Sequence, residues 1–111
     1  MTQAISEPDW KLFRHLHAVA LDRFCYRVLA EVNRITADSS LTHHARYLEV
    51  VKLVDRRDRE CAELFDDLRR STALLQLARI RSLDLVTDEE FAQFSPETRG
   101  VVESILEIRS D

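Results

Sequence analysis

An all-α helical bundle is the fold this sequence predicts, and three observations carry it. The chain has one Gly and two Pro in 111 residues, which leaves almost no turn chemistry for β-hairpins. No segment alternates β-branched and polar residues as a half-buried strand does. From about His43 to about Leu83 neither Gly nor Pro occurs, and apolar and charged residues recur at helical spacing for roughly forty positions.

The first helix is signalled by Ser6-Glu7-Pro8-Asp9. Ser6 can cap, Asp9 stands three residues on, Pro8 is tolerated in the first turn, and two acids face the positive end of the dipole. Met1 to Ile5 reads as a flexible tail. The helix runs to about Ala37 with a stripe of Phe13, His17, Leu21, Phe24, Val28, Val32 and Ile35, flanked by Trp10, Leu16 and Cys25. Asp38-Ser39-Ser40 then supplies a connection and a cap. So short a link predicts an antiparallel hairpin.

The long stretch comes next. Counting sevens from Tyr47 gives an apolar column of Tyr47, Val54, Cys61, Leu68 and Leu75. The interleaved column, Val51, Asp58, Phe65, Thr72 and Arg79, is apolar only at Val51 and Phe65. A strict coiled-coil seam wants both columns apolar. With Leu48, Val50, Leu53, Leu64, Leu74, Leu77, Ala78 and Ile80 the stripe widens into a face suited to two neighbours. Charges four apart, such as Asp55 with Arg59 and Asp66 with Arg70, support the helix by only about 0.2–0.5 kcal/mol each and define no site. Forty helical residues would span about 60 Å, whereas a compact domain of this length has a radius of gyration of roughly 13 Å. The expectation is therefore one continuous long helix whose overhang is covered by a second copy. The alternative is a break near Arg70-Ser71-Thr72.

Beyond Leu83, Asp84-Leu85-Val86 reads as a loop. Thr87 to Glu90 is a capping box opening a short helix through Phe94. Ser95-Pro96-Glu97 opens the last helix, which runs to about Ile108. The four positive and one negative side chains of residues 68–86 precede a segment, 87–111, with two positive and seven negative. The C-terminal helices are thus expected to fold back over the end of helix 2 with charges matched. The whole, residues 1–111, is one helical domain: a long-helix hairpin with two short C-terminal helices, dimeric through the uncovered stripe.

Composition excludes some functions. At 45% hydrophobic and 32% charged residues the chain can build a core and stay soluble. A net charge of −4 gives no overall reason to invoke nucleic acid or an anionic membrane. No run approaches the ~18 apolar residues of a membrane span. The polar, acidic N-terminus lacks a signal pattern, and two cysteines without one point to a reducing cytoplasm.

No catalytic residue and no cofactor is predicted, because no nucleophile–base arrangement, phosphate-cradling Gly loop or metalloprotease motif is legible. In a hairpin turning near Ser39, facing residues have numbers summing to roughly 78–80 for antiparallel helices. Cys25 and Cys61 are then offset by about 10 Å along the axis, too far for a disulfide, and both are expected to serve as small buried hydrophobes. The same arithmetic brings His17 near Cys61, with Asp58 a turn away. That makes metal or small-ligand binding near His17 and Cys61 an alternative function, although no Glu-x-x-His, His-x-x-x-His or Cys-x-x-Cys spacing supports it. His43-His44 reads as a solvated first turn. The basic patch Arg69, Arg70, Arg79 and Arg81 is expected to pair with the acidic C-terminus. Nucleic-acid binding through Arg69–Arg81 is the third reading and lacks an aromatic platform. The leading expectation is a small cytoplasmic, non-enzymatic interaction or adaptor module. Its interface residues would be Trp10, Tyr47, Asp58 and Phe65, with Asp58 meeting an Arg such as Arg57 of the second copy.

Overall fold

A computed structural model describes residues 5–110. Among them the chain is all-helical, with α1 Glu7–Thr36, α2 His43–Phe65, α3 Ala73–Ser82, α4 Asp88–Phe91 and α5 Pro96–Ser110. A 3-10 turn, Arg70–Thr72, leads into α3. Among the described residues no helix is long and apolar enough to cross a membrane.

The helix starts follow from local chemistry. Ser6 Oγ accepts from the Asp9 amide at 3.3 Å, with Pro8 in the first turn of α1. Thr87 and Glu90 form the full capping box of α4. Ser95 Oγ accepts from the Thr98 amide at the start of α5. The cap of α2 is Thr42, whose hydroxyl accepts from the Ala45 amide at 3.0 Å. None of Asp38, Ser39 and Ser40, any of which was expected to cap α2, does so; Asp38 accepts from the amide and hydroxyl of Ser40, closing a turn before the helix begins. An Asx-type turn competes directly with capping for the same carboxylate.

The expected continuous second helix is not formed. It ends at Phe65, Asp66 is extended, and Asp67 takes a left-handed φ of 63°. The chain turns back there, a few residues before Ser71. A helix end frees carbonyl oxygens that need donors, and here they find them. Gln76 Nε2 donates to Leu64 O at 2.9 Å, and His17 Nε2 lies 3.0 Å from Phe65 O. The reversal lets α3 drop into the open end of the α1–α2 hairpin, where Ala73, Leu77, Ala78 and Ile80 are fully buried.

The result has two regions. At one end a head packs α3 against α1, α2 and α5 around Phe13, Leu16, Phe24, Phe65, Leu77 and Val102. Ile5, expected in a flexible tail, is 2% exposed in that core, and its carbonyl accepts from the Arg70 guanidinium. The remainder of that expected tail, residues 1–4, lies outside the described residues. At the other end α1 and α2 continue alone as a stalk, in which Leu53 is the buried apolar residue. The molecule measures 55 × 25 × 23 Å, with a radius of gyration of 17.0 Å. That exceeds the roughly 13 Å of a compact chain of this length, and the stalk is the reason.

Polar stitches hold the head together. The Asp9 carboxylate accepts from the hydroxyls of Ser95 (2.5 Å) and Thr98 (2.6 Å) and from the Ser95 amide. Burial by itself would raise the Asp9 pKa, but the hydrogen bonds from Ser95, Thr98 and Ser6 outweigh it and hold the carboxyl below its ordinary value. Arg23 reaches from α1 to Glu90 in a two-pronged pair at 2.7 and 2.8 Å and also binds Leu85 O. Its hydrogen bonds depress the Glu90 carboxyl to about 2. One turn on, Arg27 donates to the carbonyls of Leu83 and Asp84, where the backbone again has positive φ.

Candidate functional site

Each sequence-selected polar cluster resolves into separate local roles. The His17 ring is stacked edge-on between Phe13 and Phe65, and its Nε2 faces the Phe65 carbonyl at the end of α2. His17 therefore serves the helix break. Among the described residues no group of three or more His, Cys, Asp or Glu could hold a metal ion. The arginines of the expected basic patch are dispersed as well. Arg69 pairs with Asp67, Arg70 with Glu7 and the Ile5 carbonyl, and Arg81 with Asp88 and the Val86 carbonyl while stacking on Phe91. Of these four arginines, Arg81 alone pairs with the acidic C-terminal segment among the described residues. Arg79 lines a cleft of about 780 Å³ between α2 and α3, opposite Glu60 and Glu63. That cleft contains no nucleophile with a base, and its Ser82 hydroxyl is bound to the Arg79 carbonyl.

What the structure leaves without an internal role is the stalk surface. On α2 it presents Tyr47 (65% exposed), Val51 (50%) and Val54 (46%), and on α1 it presents Leu29 (61%). Between the helices runs a groove of about 280 Å³ lined by Cys25, Val28, Val32, Val54, Asp58 and Cys61 among others. Neighbouring apolar side chains at this exposure form a patch, and a patch of this kind marks an interaction surface more often than isolated exposed residues do.

The heptad columns explain why. Positions 47, 51, 54, 58 and 61 lie along one face of α2, while the residues that α2 buries are Leu53, Leu64 and Phe65. The broad apolar stripe suits two neighbours, but along the stalk the described residues supply only α1, and α3 joins α2 at the head alone. Of the expected interface residues, Tyr47 and Asp58 stand on this open face. Trp10 is half-buried against the head core, its ring 6.4 Å from Phe13 and under the Arg14 guanidinium. Phe65, at 5% exposure, belongs to the head core beside His17 and Phe24. It was drawn inward because the break at Asp66 folds α3 toward it.

The cysteines differ from expectation too. Both were expected to be buried, yet Cys25 is exposed and Cys61 half-buried; both are free, and both line the stalk groove. Pairs across the hairpin, Glu31 with Arg57 and Phe24 with Phe65, show that α2 is shifted relative to a turn centred on Ser39. The six residues between Thr36 and His43 carry the chain past the end of α1 before α2 begins. Burial pushes the Cys61 thiol up, with Cys25, Asp58 and Asp66 adding to it. A protonated thiol is a poor nucleophile.

One charged group braces the stalk beside the groove. Arg57 donates to both carboxylate oxygens of Glu31 and to both of Glu60, at 2.8–3.0 Å. Those bonds, first with Glu31 and then with Glu60, raise its pKa and fix the guanidinium between the helices. The stalk is therefore a braced hairpin with an apolar side face. Comparison with known proteins gives no matching family model, curated protein or solved structure.

Proposed function

We propose that this protein is a non-enzymatic interaction module that works as a self-associating adaptor: the head folds the chain, and the stalk binds. The observation that carries the reading is the contrast between a head with a closed core and a two-helix stalk with an open apolar face at Leu29, Tyr47, Val51 and Val54. A two-helix hairpin buries little by itself, and antiparallel helices complete a core when two more pack alongside. A second stalk offers the matching surface, so the natural product is a four-helix bundle with two heads attached.

Sedimentation equilibrium and native mass spectrometry of the full chain test this. The expected result is a reversible dimer that Val51→Glu converts to a monomer with unchanged helical content. Val51 touches none of the head core, so that variant separates association from folding. A wild-type chain that stays monomeric at every concentration overturns the reading.

A further inference from the structure

We infer that the occupant of the stalk face is a second copy in antiparallel orientation, and that a hydrogen bond from the Tyr47 hydroxyl to the partner copy's carboxylate at position 58 sets that orientation. This rests on the self-association reading above and adds to it the direction, the register and the residues that select them.

The argument starts from the order of side chains along the open face. His44, Tyr47, Val51, Val54, Asp58 and Cys61 follow at intervals of three, four, three, four and three, the spacing of a two-stranded seam. The middle two are apolar and exposed, and the outer four all carry a polar atom. The pattern reads the same from either end about a point between Val51 and Val54. Two such helices laid antiparallel about that point place Val51 against Val54 twice. Tyr47 then lies level with Asp58 of the other copy, also twice, and His44 with Cys61. Every polar residue meets a polar residue, and every apolar residue an apolar one.

A parallel pairing matches each position with itself. It would set Asp58 against Asp58 in a layer that loses its water, and two adjacent carboxylates cannot both remain ionised there without a large penalty. A single polar residue in an otherwise apolar seam is the known device for fixing register and orientation at some cost in stability. Asp58 fits that role, since it is exposed and among the described residues makes no hydrogen bond or ion pair. The sequence suggested Arg57 of a second chain as its mate. The structure withdraws Arg57, which Glu31 and Glu60 already hold on both sides. The Tyr47 hydroxyl is the seam donor that this register places level with the carboxylate, and it too makes no bond among the described residues.

The test uses the full chain with Cys25→Ser and Cys61→Ser and one nitroxide label on His44→Cys. Antiparallel pairing puts the two labels about 25 Å apart along the axis. Parallel pairing brings them to the roughly 10 Å that separates packed helices. The long distance is expected, and replacing the carboxylate by Asp58→Leu should add the short one. On chains without labels, Tyr47→Phe should weaken the dimer by roughly a hundredfold or more, since it removes two symmetry-related charge-assisted bonds, each worth about tenfold or more. In an Asp58→Ala background the same change should cost nothing further. A short distance in the labelled dimer overturns the proposal, and so does full additivity of Tyr47→Phe with Asp58→Ala. Either result leaves self-association standing, whereas absence of any dimer removes both.

Discussion

Followed from Phe13 to Thr36, α1 changes surroundings halfway. Phe13, Leu16, Ala20 and Phe24 are buried at intervals of three, four and four, facing α2, α3 and the C-terminal helices. Past Phe24 no residue of α1 is buried, although Val28, Val32 and Ile35 continue an apolar stripe. The two halves have similar apolar content and differ in how many neighbours the chain provides. Hydrophobic periodicity reports that a face is to be covered, not which chain covers it. In the head, α3 and α5 supply the cover. Along the stalk the described residues supply no such cover, and the charged brace of Arg57 with Glu31 and Glu60 ties the two helices together.

The difference can be broken first by cavity. Phe13→Ala should destabilise the head by about 3–5 kcal/mol, enough to unfold much of the population, because Phe13 is fully buried. Val51→Ala should change the unfolding free energy of the dilute monomer by no more than about 0.5 kcal/mol. Denaturant titrations of both variants check the pair, and equal costs would mean that the stalk carries as much of the fold as the head does.

Acid sharpens the contrast next. The carboxyls of Asp9 and Glu90, both in the head, are held below their ordinary values of 3.8 and 4.5, Glu90 at about 2. A depressed carboxyl contributes stability that is complete above its unfolded pKa and is lost as pH falls through the folded one. The head should therefore weaken as pH drops from about 4.5 toward 2. Asp9→Ala should remove about 1–3 kcal/mol at pH 7, since it leaves Ser95 and Thr98 without their acceptor. It should also flatten part of the acid limb. Denaturation midpoints across that pH range give both readings, and an unchanged slope in the variant would deny Asp9 its role.

The smallest effect lies at the junction of the two regions. Asp67 holds a left-handed φ of 63°, a conformation that Gly adopts without steric cost. Asp67→Gly should be neutral to stabilising by up to about 1 kcal/mol, since it surrenders only an exposed pair with Arg69. Destabilisation beyond that in calorimetry would mean that the side chain itself directs the break.

The all-helical fold, the hairpin, and the caps at Ser6, Thr87 and Ser95 were legible because each rests on a few neighbouring residues. The break at Asp66–Arg69 was legible only as the alternative to a continuous helix, placed a few residues late at Arg70-Ser71-Thr72. No Gly or Pro marks it, and the heptad columns run through it to Leu68 and Leu75 as if the helix continued. Its supports, His17 and Gln76, act from other helices. Ile5 left a readable trace: an apolar residue just before the cap, with Trp10 at the fourth helical position, is the hydrophobic-staple pattern. Asp9 left none, since its partners lie 86 and 89 positions away. On the candidate surface, Tyr47 and Asp58 stand in the heptad columns of the sequence, whereas the departure of Phe65 from that face follows from the break, which turns it into the head core.

The 55 Å length against a 25 × 23 Å cross-section also governs how the molecule moves through water. A rod-like particle of 13.0 kDa suffers more drag than a sphere of equal mass and tumbles faster about its long axis than end over end. In gel filtration it should elute ahead of globular standards of its own mass even as a monomer. Light scattering, which weighs particles without regard to shape, would separate a long single chain from two chains side by side.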